Sequence, residues 1–200
     1  MLLRFLKISF MALCCFSFSM TSCQSKPPSS WNLLGDESKI NYVSIKNNNL
    51  LENNIFEILE GSVNLDGNAE FLINLNSVNT NNDIRDERLR NILFKTETYP
   101  IAKVTSLINL SDYENLSVGS SIIKNFNFKI TFHGLTGSFE AEMEIFRLGM
   151  NKVLVKNIEP VIVDGGDYGL HTEFKQLQQL AGLDSIVPVV PVTVSLLFER

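Results

Sequence analysis

Residues 121–146 carry the pattern that most restricts the fold. Phe126, Phe128, Ile130 and Phe132 alternate with Asn125, Asn127, Lys129, Thr131 and His133. The stretch from Gly134 to Gly137 turns the chain, and Phe139, Ala141, Met143 and Ile145 then alternate with Ser138, Glu140, Glu142 and Glu144. Successive side chains of an extended backbone point to opposite faces, so period two predicts paired strands with one greasy face and one charged face.

The same period recurs along the chain. Residues 38–44 predict a first strand, and the asparagine-rich residues 47–54 a turn or mobile loop. Residues 55–59 and 62–65 predict a strand region kinked at Gly61, with a hairpin turn at Asp66-Gly67. Residues 69–76 return with Phe71, Ile73 and Leu75 on one face. Further strands are expected over 102–110 and 153–163, Pro160 marking an edge or bulge in the latter. Residues 164–167 read as a loop and 172–182 as an amphipathic helix with Phe174, Leu177 and Ala181 on one side. The last strand, 188–198, keeps Val190, Val192, Val194, Leu196 and Phe198 in phase. About eight short antiparallel strands with one or two short helices predict an all-β barrel or sandwich.

The N-terminus does not share this pattern. Arg4 and Lys7 precede an almost uncharged apolar run over 8–20, which predicts a signal peptide over residues 1–22. Met20-Thr21-Ser22-Cys23 resembles a bacterial lipobox, with Cys23 the lipid-attachment residue; an ordinary signal peptide cut near Ser22 is the alternative. Residues 23–30 then form an acylated cysteine and a Pro/Ser-rich tether, and 31–200 the folded domain. Gln24 rather than Asp after the cysteine points, by the usual sorting pattern, to the outer membrane, with the domain facing the periplasm. Loss of Arg4 and Lys7 would take the formal net charge from −5 to −7. An acidic domain without basic runs is a poor partner for nucleic acid. Cys14 and Cys15 lie in the leader, so the folded domain has no thiol for a disulfide.

Between two of the strands lies a charged stretch, residues 77–100. Asp83 is expected to accept a bond from a first-turn amide, and Asp86 adds charge where the helix dipole favours it. Leu89, Ile92 and Leu93 share one helical face, while Glu87, Arg88 and Arg90 are expected to stay solvated. Such a helix suits a lid over the end of a β-structure. The stretch contains Ser77-Val78-x-Thr80, then Arg85-Asp86-Glu87-x-Leu89-Arg90, the aromatic Phe94 and Tyr99-Pro100. This order resembles the signature of the YceI-like proteins of the bacterial envelope, and the resemblance runs from about residue 31 to residue 198. Where many members carry an acid and paired aromatics, this chain reads Leu93-Phe94. Asp167-Tyr168-Gly169-Leu170 is similar to the family's aromatic-glycine element, expected to shape a bend.

The resemblance implies a lipocalin-like antiparallel β-barrel that holds a long apolar ligand, a polyisoprenoid or an isoprenoid quinone. Phe71, Ile73, Leu75, Phe126, Phe128, Ile130, Phe132, Val192, Val194 and Leu196 would then be the ligand-binding wall. Periodicity by itself favours a filled core, because a hydrophobic face says inside and does not say hollow. Arg85 and Asp86 read either as a structural ion pair or brace, or as contacts to a ligand head group, the brace being favoured. Chemistry-bearing constellations are scarce: His133 and His171 are far apart, no His/Cys spacing fits a metal, and there is no nucleophile elbow or phosphate loop. The expected partners are an apolar lipid, a membrane through acylated Cys23, and a second copy of the chain. No covalent cofactor is expected beyond N-terminal acylation. Two other functions fit the same residues: a filled barrel acting as an envelope interaction module, and a quinone-linked redox accessory.

Overall fold

The structure, a computed structural model, describes residues 30–200. The expectations for the signal peptide and Cys23, and all of the tether before Ser30, lie outside the described residues. Thirteen strands join in one antiparallel sheet. They are β1 (Trp31–Leu33), β2 (Lys39–Lys46), β3 (Leu50–Phe56), β4 (Leu59–Val63), β5 (Asn68–Asn74), β6 (Val78–Asn79), β7 (Ile101–Leu107), β8 (Ser121–Phe132), β9 (Leu135–Gly149), β10 (Lys152–Asn157), β11 (Val161–Asp164), β12 (Ile186–Val187) and β13 (Val189–Glu199). Helices α1 (Asp83–Arg88), α2 (Ser111–Glu114) and α3 (His171–Ala181) complete the domain.

The sheet closes on itself because β13 pairs with β10 along one edge and with β1 and β2 along the other. Closure leaves eight staves, five of them interrupted: β1/β2, β3/β4, β5/β6, β10/β11 and β12/β13. The interruptions have local causes. Between β3 and β4 the Ser77 hydroxyl accepts from the backbone N–H groups of Glu57 (3.1 Å) and Ile58 (2.9 Å), replacing ladder bonds. Pro160 and Pro188 lack the N–H a ladder needs, so β10/β11 and β12/β13 break beside them. Such breaks let a stave bend round a barrel.

Several expected boundaries shift. The asparagine-rich loop contracts to a turn at Asn47 (φ 48) and Asn48 (φ 61), a left-handed pair asparagine tolerates, and Asn53 and Asn54 belong to β3. Gly61 sits inside β4, not at a kink between strands. β5 ends at Asn74, and Leu75 occupies a 3₁₀ turn over Leu75–Ser77, though its side chain stays buried. The β8–β9 hairpin turns at His133 (φ 52) and Gly134 (φ 79), ahead of the expected 134–137 stretch. The strand expected over 153–163 is two strands, and residues 165–168 wind into a 3₁₀ turn.

The charged stretch is helical, as its pattern predicts. Asn82, not Asp83, caps it: the Asn82 side chain accepts from the Arg85 N–H at 3.0 Å. After Arg88 the turns widen into a π-helix over Leu89–Phe94, which stops at left-handed Lys95 (φ 47). Leu93 and Phe94 are buried against the barrel, with Leu89 and Ile92 partly covered beside them. Helix α3 adds Leu177 and Phe174 to the same end. Tyr168 pins its turn to the β8–β9 hairpin, donating to the Ile130 carbonyl at 3.2 Å and packing edge-on to Phe132 at 5.3 Å. Among the described residues no helix is long and apolar enough to cross a membrane.

Candidate functional site: a cavity along the barrel axis

The inward faces of the staves do not meet. Between them lies a cavity of about 1060 Å³, at the upper limit of the ~300–1,000 Å³ usual for ligand pockets. Its walls explain a burial pattern that a filled core would not give. On β8 the inward Phe126, Phe128, Ile130 and Phe132 are only half-buried, while the outward residues 125, 127 and 129 are exposed. The phenyl faces look into open space.

The cavity runs from end to end. At one end it is lined by Trp31, Leu65, Tyr113 and Arg147; at the other by Ile84, Arg88, Leu89 and Leu180, where α1 and α3 sit. All ten residues expected to form the wall line it. Phe71, Ile73 and Leu75 are nearly covered, with exposures of 9%, 7% and 2%. Phe126 to Phe132 and Val192, Val194 and Leu196 form the opposing sides.

The polar signature residues divide. Arg85 and Asp86 do not pair with each other. The Arg85 guanidinium donates to the Glu52 carboxylate at 2.5 Å, and Lys46 binds the same carboxylate. Asp86 is buried, accepting from the Thr80 N–H at 2.9 Å and the Thr80 hydroxyl at 2.5 Å. It therefore braces the start of the helix to the end of β6. Leu89 and Phe94 line the cavity, Phe94 lying 5.7 Å from Phe56 and 6.0 Å from Phe132. Tyr99 and Pro100 lie outside it: the Tyr99 ring packs against His133, tilted by 43° with centroids 4.3 Å apart, and the Pro100 carbonyl accepts from the Leu75 N–H at 2.9 Å. Arg88, expected in solvent, is half-buried and reaches the lining.

Sequence reasoning missed a polar group near the α1 end. Tyr42 and Asn54 are directly opposed across β2 and β3 and both line the cavity. Asn54 donates to Ser44 Oγ at 3.1 Å and to the Glu52 carbonyl at 3.2 Å. Its Oδ1 and the Tyr42 hydroxyl are shut from solvent without partners among the described residues. Burial, then the negative charge of Asp86, raises the Tyr42 hydroxyl above its ordinary pKa, so it stays protonated. Tyr42 was visible in the alternation; Asn54 was hidden by the asparagine-rich composition around it.

The space is open toward its ends and its walls are mostly apolar, so they offer water few hydrogen-bond partners and suit an apolar guest. Among the described residues no group of three or more His, Cys, Asp or Glu is placed to hold a metal.

Comparison with known proteins agrees with this geometry. A polyisoprenoid binding domain from Saccharophagus degradans, implicated in plant cell wall breakdown, is 33% identical; the match covers 86% of this chain and 99% of that one, with a TM-score of 0.84. BcnA from Burkholderia cenocepacia, 16% identical over 82% of this chain and 98% of its own, shares the fold with a TM-score of 0.63. Curated proteins give no match. The YceI-like domain model matches residues 31–198, so the chain belongs to the YceI-like family.

Proposed function

We propose that this protein binds, sequesters or carries a long isoprenoid-type lipid inside its barrel, without catalysing a reaction on it. The observation that carries the reading is the apolar cavity of about 1060 Å³ that runs from end to end of the barrel. The 33%-identical polyisoprenoid binding domain supports the class of ligand. Each five-carbon unit drawn from water would gain ~4 kcal/mol at about 0.8 kcal/mol per buried CH₂, before ordering costs are subtracted. Native mass spectrometry of the purified protein, with an organic extract analysed in parallel, tests this. An isoprenoid lipid in the extract is expected; repeated preparations without any lipid, and no uptake of a supplied polyprenol, would refute it.

The filled-barrel module would need the inner side chains to close the space, and here they leave a channel. The quinone-linked alternative shares the cavity and is separated by the chemical identity of the extracted lipid. The leader and Met20-Thr21-Ser22-Cys23 support a lipid-anchored protein of the cell envelope, held on the outer membrane and facing the periplasm. A mature N-terminus without acyl chains on Cys23, read by mass spectrometry of the N-terminal peptide, would count against that placement.

A further inference from the structure

We propose that the Trp31 end of the barrel docks on a lipid bilayer and is the mouth through which the ligand enters. The inference rests on the carrier reading above and on acylation of Cys23. Three observations at this end point the same way.

The first is a fringe of exposed apolar side chains on the loops there. Leu65, Leu107, Val118, Leu148 and Met150 are 56%, 75%, 60%, 51% and 78% exposed. Strand register gathers them. Trp31 pairs with Val63, just before the turn bearing Leu65, and Asn68, just after it, pairs with Leu107. The Gly119 N–H donates to the Arg147 carbonyl at 2.8 Å, which sets Val118 beside the β9–β10 hairpin of Leu148 and Met150. Leu65 also lines the cavity, so apolar surface is continuous from the fringe to the interior.

The second is the rim. Trp31, the chain's single tryptophan, is flanked by the Arg147 guanidinium at 5.8 Å and that of Arg200 at 4.5 Å from its ring centroid. Arg147 also donates to the Gly149 carbonyl at 2.8 Å and the Met150 carbonyl at 2.6 Å, which holds the hairpin against the ring. An amphipathic aromatic with cationic neighbours suits the headgroup layer.

The third is where the domain begins. Trp31 starts β1, and residues 24–30 separate it from Cys23. Seven residues reach at most ~25 Å, so an anchor at Cys23 keeps this end near the bilayer. The α1 end also shows exposed apolar residues, Leu50, Leu51, Ile84, Leu135 and Leu180 at 53%, 67%, 65%, 49% and 50%, so the distance from the anchor decides between the ends.

The test uses the exported chain carrying Cys23→Ser, so that acylation plays no part. It is mixed with phosphatidylcholine vesicles containing one-fifth phosphatidylglycerol, with and without brominated acyl chains. Docking at this end predicts co-sedimentation and quenching of Trp31 fluorescence by the brominated lipid. Leu148→Ser with Met150→Ser, both outside the cavity lining, should weaken vesicle binding about ten-fold and leave the melting temperature unchanged. Leu50→Ser with Leu51→Ser, both outside the cavity lining, should leave vesicle binding intact. Absence of vesicle binding, or its loss in the α1-end variant alone, overturns the proposal. Uptake of solanesol, followed on the same proteins by thermal shift, reports on the carrier reading separately. If uptake persists while docking fails, only the docking surface is refuted.

Discussion

Phe128→Glu distinguishes a hollow barrel from a solid one within a single protein. The Phe128 ring lies on the cavity wall, half-buried, and stacks on Phe139 at 5.8 Å. In a filled core the introduced carboxylate would have no water. Losing the ring would cost about 3–5 kcal/mol and burying the charge would add more, enough to unfold most domains. In this structure the side chain meets the cavity, where solvent can hydrate it once the lipid is stripped. The lipid-free variant should then lose only the contact with Phe139, about 1 kcal/mol. For a domain of this size that is a fall of ~2–4 °C in melting temperature.

Binding should respond very differently. A lipid entering the variant must displace water from the carboxylate and forfeits contact with the ring. Together these amount to at least ~3 kcal/mol, more than a hundred-fold in Kd. The assay is paired: thermal melts of delipidated wild type and variant, and solanesol binding to each by native mass spectrometry. A delipidated variant that is unfolded, or destabilised by more than ~10 °C, would refute the open cavity. A folded variant that binds lipid as well as wild type would refute contact between Phe128 and the chain.

Other expectations follow from single contacts. Asp86→Ala leaves the Thr80 amide and hydroxyl buried without an acceptor and should cost ~2–4 kcal/mol, read by urea denaturation. Arg85→Ala, breaking a half-exposed pair with Glu52, should cost under ~1 kcal/mol in the same assay. Gly67→Ala places a Cβ 1.9 Å from the Ile108 carbonyl at φ +83, so the turn must rebuild and folded yield at 37 °C should fall sharply. Acid should weaken the fold in two steps. Burial, then the charge of Lys95, holds His133 below its usual 6.5, so the stability present above that value declines as pH falls through it toward the folded pKa. The hydrogen bond from Lys95, outweighing burial, holds Glu173 below 4.5, so its contribution is lost further down. Melting temperature against pH measures both steps, and His133→Asn, tolerated at positive φ, should remove the first.

What could be read in the chain was what depends on period. Phe126 to Phe132 and Val192 to Leu196 announce their faces, because side-chain direction in a strand follows residue parity. Interruptions were less legible. Pro160 gave warning, but the break between β3 and β4 is imposed by Ser77, about twenty positions away in sequence, which no local pattern reports. The polar end of the cavity was harder still. Arg85 and Asp86 are neighbours in sequence, and their partners Glu52 and Thr80 are set by how β3 and β6 fold under the helix. Hollowness has no signature in alternation, because a ring touching another ring and a ring touching a guest obey the same pattern.

The closure of the sheet through the β1–β13 pairing constrains traffic as well as shape. Because the sheet closes on itself, a hydrocarbon held as proposed above would leave lengthwise, one repeat after another, with resolvation of each repeat opposing the next step. Residence should therefore lengthen steeply with the number of repeats. Delivery, on that reading, would call for an acceptor that meets the emerging tip before the remainder has slid free.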